Sequence, residues 1–213
     1  MLVGDRMSKN PVTTTPDTSV TDALRLMRES KVRRLPVLDS HGKLVGIVAD
    51  QDLLYASPSP VSSLSVWEMN YLLAKLKVEE VMTRQIITVT EDTPLEEAAR
   101  IMVDSKIGGL PVVHDGKLVG IITETDLFKI FVGLLGGRSK GVRVTAYIPG
   151  VKGTLAKITN AIAGAGGNIM AFSQSLDAAG KRWQVMVKVE DVTRDKLVEV
   201  VKPVVEEIVD VRE

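Results

Sequence analysis

Gly42-Lys43-Leu44-Val45-Gly46-Ile47 recurs without change as Gly116-Lys117-Leu118-Val119-Gly120-Ile121. The match continues outward on the N-terminal side, where Leu35-Pro36-Val37 corresponds to Leu110-Pro111-Val112 and Asp17-Thr18 corresponds to Asp92-Thr93. Residues 3–53 align in this way with residues 78–127, and His41 is the single unmatched residue. A repeat of this length indicates two copies of one structural unit.

Each copy combines a helical pattern with two strands. Apolar residues spaced i, i+3, i+4 and i+7 predict one buried helix face per copy. These residues are Val20, Ala23, Leu24 and Met27 in the first copy, and Leu95, Ala98, Ala99 and Met102 in the second. We expect Thr18 and Thr93 to start the two helices. Strands follow at 35–38 and 44–48, and at 110–113 and 118–122, and second helices open near Gln51 and Thr125.

Each copy is therefore a βαββα unit, which is too small to cover its own sheet. We expect the two copies to pair about a pseudo-two-fold axis and so bury both open faces. The predicted first repeat covers residues 1–56, and the second covers residues 78–136. Between them, residues 57–77 form a Ser- and Pro-rich linker followed by a helical pattern from Trp67 to Leu76.

A different unit follows the glycine-rich hinge at residues 136–141. Alternating apolar residues predict strands at 142–148, 169–175 and 182–189, and a short apolar edge at 208–211. One helix carries Leu155, Ile158 and Ile162, and another runs from Arg194 to Pro203. The order of elements in residues 142–213 is βαββαβ, which is ferredoxin-like. The whole chain is predicted to be α+β.

Composition and charge restrict the classes of function. Lys plus Arg and Asp plus Glu both number 27, so nothing in the net charge draws the protein to nucleic acid. No cysteine is present, the N-terminal residues do not read as a signal peptide, and no apolar run reaches 18 residues. We therefore expect a cytoplasmic protein with no nucleic-acid partner and no membrane contact.

The sequence gives little support for a catalytic function. His41 and His114 lie in or beside hairpin turns, away from any matching nucleophile, and neither belongs to a cluster with metal-ligand spacing. The sequence contains no P-loop and no dinucleotide fingerprint. We expect no catalytic residue, no metal and no catalytic cofactor. Met7, Met27, Met82 and Met102 occupy paired repeat positions, so we interpret them as core residues.

The two copies resemble CBS domains. The resemblance is carried by the Leu-Pro-Val and Gly-Lys-Leu-Val-Gly-Ile strands and by residues 120–126, which fit the family motif Gly-h-h-(Ser/Thr)-x-x-Asp. The third unit resembles an ACT domain through residues 149–155 and 166–169. This layout is similar to that of the bacterial acetoin-utilisation regulatory proteins. The resemblance implies a Bateman module whose two clefts hold AMP, ADP, ATP or S-adenosylmethionine, followed by a module that often binds amino acids.

The main cleft implied by the resemblance is built around Thr123 and Asp126. The Thr123 hydroxyl and the free N–H groups of the next helical turn suit a phosphate, and the Asp126 carboxylate suits the ribose hydroxyls. Arg33 or Arg34 of the first copy could also meet the phosphate. The full set is Val12, Thr13, Val32, Arg33, Arg34, Pro36, Ile121, Thr123 and Asp126. Two alternatives stay open: Thr-x-x-Asp is also a helix capping box, and Arg33-Arg34 is also typical of a solvated surface pair.

The second cleft lacks the hydroxyl, because Ala49 stands at the position of Thr123. Asp52 remains for the ribose, and Gly108 and Gly109 stand where the first copy has two arginines. We therefore expect two unequal clefts, of which this one binds more weakly. The second set is Asp52, Ile87, Thr88, Ile107, Gly108, Gly109 and Pro111.

In the ACT-like unit, residues 149–154 and 166–169 are expected at the same end of the sheet. Backbone N–H groups beside the glycines could hold an amino-acid carboxylate, and Asn168 could contact its ammonium group. The predicted ligand residues are Gly150, Gly153, Thr154, Leu155, Asn168 and Ile169. The alternative is that these segments are simply tight turns that need glycine. Edge-to-edge pairing of such sheets favours a homodimer or a higher homo-oligomer.

These features predict a non-catalytic allosteric sensor. Its regulatory ligands would be an adenine nucleotide (AMP, ADP or ATP) and an amino acid, and its occupancy would be read by a regulated protein that the sequence does not identify. One alternative is a ligand-independent oligomerisation scaffold with vestigial clefts, which Ala49 favours and which Thr123 with Asp126 opposes. An enzyme is the third hypothesis and has the least support.

Overall fold

The computed structural model describes residues 1–56 and 75–213, and it divides into two compact units, Met1–Leu127 and Phe128–Glu213. Most of the predicted linker, and the predicted helical pattern from Trp67 as far as residue 74, lie outside the described residues. Within the described ranges, no helix combines the length and the apolar character needed to cross a membrane.

The first unit has a mixed α+β structure. The first copy contains a 3₁₀ turn at Val3–Asp5, β1 (Ser8–Lys9), α1 (Val20–Ser30), β2 (Arg34–Leu38), β3 (Leu44–Ala49) and α2 (Asp50–Tyr55). The second contains α3 (Val78–Val81), α4 (Leu95–Ser105), β4 (Gly109–His114), β5 (Lys117–Thr123) and the start of α5 (Glu124–Leu134). In each copy the two longer strands form an antiparallel hairpin.

The first helix of each copy begins one residue later than predicted. Ser19 caps α1 by accepting a hydrogen bond from the Asp22 N–H at 3.1 Å, and Pro94 precedes α4. Thr18 and Thr93 instead accept hydrogen bonds from the N–H groups three residues before them, which closes the turn that leads into each helix. The predicted starts at Thr18 and Thr93 are therefore wrong by one residue.

The two copies exchange their first segments. Ser8 of β1 pairs with Ile121 of β5, and Thr83 forms a bridge with Ile47 of β3. The predicted βαββα order thus holds only when the first strand of each copy is assigned to the sheet of the other. The exchange is reciprocal, as pairing about a pseudo-two-fold axis requires.

The exchanged segments also enter the opposite cores. Val78 and Met82 are buried in the first copy's core, beside Leu35 and Val48. A side chain at Gly46 would collide with the thioether of Met82, and one at Gly120 would collide with that of Met7. The second glycine of each repeated hexapeptide, Gly46 or Gly120, is therefore the position on which a methionine of the exchanged segment packs. All four paired methionines are buried, as predicted.

The second unit has the predicted βαββαβ order. After residues 128–134 of α5 it contains β6 (Val142–Ile148), α6 (Thr154–Gly164), β7 (Asn168–Leu176), β8 (Trp183–Glu190), α7 (Arg194–Val201), a 3₁₀ turn at Lys202–Val204 and β9 (Glu207–Arg212). The strands form one antiparallel sheet in the order β7-β8-β6-β9. Apolar residues of α6 and α7, such as Ile158 and Leu197, pack with alternate residues of β6 and β8 in one core.

Candidate adenylate site

The strand-to-helix junction at the end of β5 holds a carboxylate in a fixed position. The Thr123 hydroxyl donates to Asp126 Oδ2 at 2.7 Å, and the Thr123 N–H donates to the same oxygen at 3.1 Å. Both side chains are half-buried. The hydrogen bond from the Thr123 N–H to the Asp126 carboxylate is that of a capping box, so the capping alternative is present in the structure. Capping also fixes the Asp126 carboxylate at the first turn of α5.

The equivalent junction in the first copy keeps the carboxylate but not the hydroxyl. The Ala49 N–H donates to Asp52 Oδ2 at 2.9 Å. Asp52 and Ala49 are half-buried, as their counterparts are. The two junctions therefore share one backbone geometry and differ in one hydrogen-bonding group.

Arg33 of the first copy reaches the start of α5. Its Nη2 donates to the Thr125 hydroxyl at 3.4 Å, a contact between residues 92 positions apart in the chain. Arg33 is exposed, as the surface alternative expects, yet this hydrogen bond joins it to the turn that contains Asp126. The structure therefore brings Arg33 to this helix start, and its role toward a ligand stays a prediction.

Arg34 also crosses to the second copy, where it lies against two glycines. A side chain built at Gly109 would lie 3.2 Å from Arg34 Cδ and 3.5 Å from Thr123 Cγ2. One built at Gly108 would collide with the Arg34 guanidinium and would lie 2.6 Å from Glu124 Oε2. Arg34 is half-buried and therefore less exposed than Arg33, and the surface-pair alternative stays open for it.

The remaining residues of the predicted main cleft have mixed environments. Val12 and Val32 are partly buried against the first copy's core, and Pro36 and Ile121 are buried in their strands. Thr13 lines a groove of about 350 Å³ beside α1, together with Thr14, Thr15, Thr18, Asp22, Arg25, Leu26 and Glu29. These residues remain assigned to the cleft by prediction alone.

The structure brings together only some of the residues predicted for the second, weaker cleft. Gly108 and Gly109 meet Arg34, and Pro111 is buried in β4, where its carbonyl accepts a hydrogen bond from the Val89 N–H at 3.1 Å. Ile107 is half-buried, whereas Ile87 and Thr88 are exposed. Sequence reasoning missed that Arg34 lies across this set, because no local pattern reports a contact between copies.

The second unit contains an open groove at the β6–α6 loop, with a volume of about 490 Å³. Four predicted ligand residues line it: Gly150, Gly153, Thr154 and Leu155. The indole of Trp183 covers Gly150, where a side chain would lie 2.6 Å from Trp183 Cδ1. Sequence reasoning missed Trp183, Lys152 and Gln174, which also line the groove. Trp183 could have been found as an aromatic residue that opens a strand.

Asn168 and Ile169 lie at the opposite end of the sheet from this groove. Ile148, where β6 ends, pairs with Trp183, whereas Asn168 pairs with Glu190 and Val142 pairs with Val189. The 11-residue helix α6 rises about 16 Å between the two loops and so separates them by the length of the sheet. The expectation that residues 149–154 and 166–169 share one end is wrong. The Asn168 amide instead donates to Glu190 Oε1 at 2.7 Å.

Both histidines are exposed: His41 lies in the turn between β2 and β3, and His114 is the last residue of β4. His114 Nδ1 is 3.2 Å from Glu91 Oε2, and its Nε2 is 3.6 Å from Asp115 Oδ2. Within residues 1–56 and 75–213, no group of three or more His, Asp or Glu side chains is arranged to hold a metal ion.

Two copies of one α/β unit, each with a carboxylate held at the helix start behind its hairpin, define a tandem-repeat α+β module. The family model for the CBS domain matches residues 3–59 and 78–133, which is more than half of the chain. The chain therefore belongs to the CBS domain family, as a tandem pair.

Solved structures of other CBS pairs are similar to this chain. The CBS pair of protein MJ0100, in complex with 5′-methylthioadenosine and S-adenosyl-L-methionine, is 35% identical over 65% of this chain and 98% of that one, with a TM-score of 0.53. A candidate acetoin utilization protein (AcuB) from Vibrio cholerae is 34% identical over 66% and 98%, with a TM-score of 0.53. CBSX2 of Arabidopsis thaliana, in complex with AMP, is 39% identical over 62% and 96%, with a TM-score of 0.51.

Enzymes also match the chain. L-Aspartate semialdehyde sulfurtransferase of Methanocaldococcus jannaschii is 36% identical over 135 residues, which is 62% of this chain but only 23% of the enzyme. A match to less than a quarter of an enzyme gives no ground for assigning that enzyme's activity to this chain.

Proposed function

We propose that this chain is a non-catalytic regulatory protein whose CBS pair binds an adenine nucleotide of the AMP, ADP or ATP class. The observation that carries the proposal is the meeting of Asp126 and Arg33 at one helical turn. Asp126 is held at the start of α5 by Thr123, and Arg33 of the other copy is hydrogen-bonded to Thr125. A ribose that binds the carboxylate would bring its phosphate toward the guanidinium and the helix N-terminus.

The relatives support an adenosyl ligand. CBSX2 binds AMP, and protein MJ0100 binds two adenosyl compounds without phosphate. The arginines and the helix N-terminus favour a phosphorylated ligand for this chain, so AMP is the first candidate and S-adenosylmethionine is the comparison ligand. The likeness to the Vibrio cholerae protein supports acetoin utilisation as the pathway to examine first.

The two clefts are proposed to bind with different affinities. Thr123 and Ala49 stand at equivalent helix starts, and only the first supplies a hydroxyl. We assign the tighter binding to the Thr123–Asp126 cleft. The remaining residues assigned to each cleft stay as predicted from the sequence.

We further propose that residues 142–213 form an ACT domain that binds a small amino acid in the β6–α6 groove. Support comes from the βαββαβ order with its antiparallel sheet and from a groove lined by Gly150, Gly153 and Leu155. The Trp183 indole adds an apolar wall, and Lys152 adds a cation for a carboxylate. Asn168 and Ile169 are left out of this groove.

A binding protein regulates only when its ligand has different affinities for two states. We propose that these states are two packings of a homodimer or higher homo-oligomer, read by a partner protein in the cytoplasm. The edge strands β7 and β9 of the second unit each have one side unpaired within the described chain, which supports association through this sheet.

A thermal-shift panel tests the proposal. AMP, ADP, ATP, S-adenosylmethionine and the common amino acids are each added to the wild type, to Asp126→Ala and to Trp183→Ala. An adenylate should raise the melting temperature, and a ligand at one hundred times its Kd stabilises by about 2.7 kcal/mol. Asp126→Ala should reduce the adenylate shift, and Trp183→Ala should reduce only the amino-acid shift.

One observation favours a ligand-independent scaffold as the second candidate. The Asp126 carboxylate accepts hydrogen bonds from the N–H and the hydroxyl of Thr123, so the junction has a structural role of its own. The scaffold hypothesis requires that no compound in the panel change the melting temperature while the oligomer stays intact.

A further inference from the structure

One arginine lies between the two proposed clefts. The Arg34 stem passes Gly109, the residue that pairs with Thr123 of the tighter cleft. Its guanidinium ends at Gly108, which belongs to the weaker cleft, beside the Glu124 carboxylate. The Arg34 side chain therefore lies against residues assigned to the weaker cleft, next to the strand end that carries Thr123 of the tighter cleft.

The absence of a side chain at Gly108 is what permits this position. The copies are equivalent at this point, so Arg34 would meet an arginine there if both copies had the first copy's sequence. The second copy has Gly108 and Gly109 in place of Arg33 and Arg34, and the guanidinium lies in the space this leaves. The repeat has thus lost its symmetry where the two copies meet.

Arg33 does not duplicate this arrangement. Its guanidinium is hydrogen-bonded to Thr125 on α5, the helix that carries Asp126, so it serves the tighter cleft. Glu124 adds a negative charge near Gly108. If Arg34 moved to a phosphate in the tighter cleft, the weaker cleft would keep that carboxylate and lose the nearby cation.

We infer that the two clefts share Arg34, so that phosphorylated ligands bind them with negative coupling. This inference rests on the proposed adenylate binding. One guanidinium makes its paired hydrogen bonds to one phosphate at a time, so the first AMP that recruits Arg34 weakens the second. A ligand without phosphate does not bind the Arg34 guanidinium. Its binding to one cleft therefore does not change its affinity for the other.

Calorimetric titration of the full chain with AMP tests the sharing. Asp126→Ala removes the carboxylate of the tighter cleft and leaves Arg34 available to the weaker one. In this variant the weaker cleft should bind AMP about tenfold more tightly than the second site of the wild type, within the range usual for coupled sites. Adding Arg34→Gln should abolish that gain, whereas adding Arg33→Gln should leave it in place.

Adenosine is the matched ligand without phosphate, and its affinity for the weaker cleft should be the same in the wild type and in Asp126→Ala. A circular-dichroism melt of each variant confirms that it is folded. If AMP binds the weaker cleft equally in the wild type and in Asp126→Ala, Arg34 is not shared and the inference fails, while adenylate binding stands. If the folded wild type binds neither AMP nor adenosine, the proposed function fails and the inference fails with it.

Discussion

The Thr123 hydroxyl donates a 2.7 Å hydrogen bond to the Asp126 carboxylate. In the equivalent pair, Ala49 has no hydroxyl, and only its backbone N–H donates to the Asp52 carboxylate. The two helix starts are otherwise alike, so the hydroxyl can be removed from one and added to the other. This is an internal comparison between two copies of one unit in a single chain.

Thr123→Ala should lower the free energy of unfolding by about 1 kcal/mol, the usual net contribution of one hydrogen bond, because the Thr123 hydroxyl no longer donates to Asp126. Ala49→Thr should raise it by a smaller amount, because the new hydroxyl must order its side chain. Urea denaturation of the two variants and the wild type measures both changes. Equal stability of Thr123→Ala and the wild type would mean that the backbone hydrogen bond alone holds the cap.

Gly46→Ala and Gly120→Ala should both destabilise the pair, and by different amounts. At Gly46 the three atoms nearest to the new methyl group all belong to the flexible side chain of Met82, whereas at Gly120 the third nearest is the backbone oxygen of Ser8, at 3.1 Å. We expect losses of about 1 kcal/mol and about 2 kcal/mol in the free energy of unfolding. Chemical denaturation provides the measurement.

The exchange of segments gives this prediction a control. Met82→Ala should couple energetically with Gly46→Ala, and Met7→Ala should not, because Met7 packs on Gly120. Coupling of Gly46 with Met7 in a double-mutant cycle would show that each methionine packs on its own copy.

Local patterns predicted most of the fold. The helices, hairpins and order of elements follow from the period of the apolar residues and from the position of the glycines, both of which act within a few residues. The exchange of β1 could not be predicted from local patterns. The strands β5 and β3 offer β1 the same backbone hydrogen-bonding groups, so the local sequence does not favour one partner over the other. The packing of the two copies decides between them.

In the candidate sites too, local features could be predicted from the sequence and long-range contacts could not. The Asp126 cap depends on four consecutive residues, and the sequence predicted it as the capping alternative. The separation of Asn168 from Gly150 depends on the length of α6 relative to the sheet, and the contact of Arg34 with Gly108 depends on the approach of the two copies. A sequence motif encodes neither the separation of Asn168 from Gly150 nor the contact of Arg34 with Gly108.

Thr14→Val should stabilise the protein. Thr14 and Val89 occupy equivalent positions and are both 6% exposed, but the Thr14 hydroxyl is buried and has no hydrogen-bond partner among the described residues. Replacing it by an apolar group of the same shape removes a desolvation cost, so the free energy of unfolding should rise by about 1 kcal/mol. The reverse change, Val89→Thr, should lower it by a similar amount. If Thr14→Val is destabilising in a denaturation experiment, the hydroxyl has a partner, such as an ordered water.

The Asp177 turn between β7 and β8 should make stability depend on pH. The Asp177 carboxylate accepts hydrogen bonds from the backbone N–H groups of Lys181, at 2.8 Å, and Arg182, and these hold its pKa below the ordinary value of 3.8. Because the pKa is lower in the folded state, the charged carboxylate stabilises the fold above about pH 4, and this contribution is lost as the pH falls through the folded-state pKa.

Asp177→Asn keeps the shape of the side chain and removes the charge, so its melting temperature should be lower than that of the wild type at pH 7. The difference should shrink as the pH falls below about 4 and the wild-type carboxylate is progressively protonated, because its pKa lies below the ordinary value. Asp17→Asn is the matched control, because the Asp17 carboxylate accepts no hydrogen bond in the part of the chain that the structure describes. Melting curves by circular dichroism between pH 3 and pH 7 measure the effect. A difference for Asp177→Asn that stays constant over this range would mean that its cause is geometry and not charge.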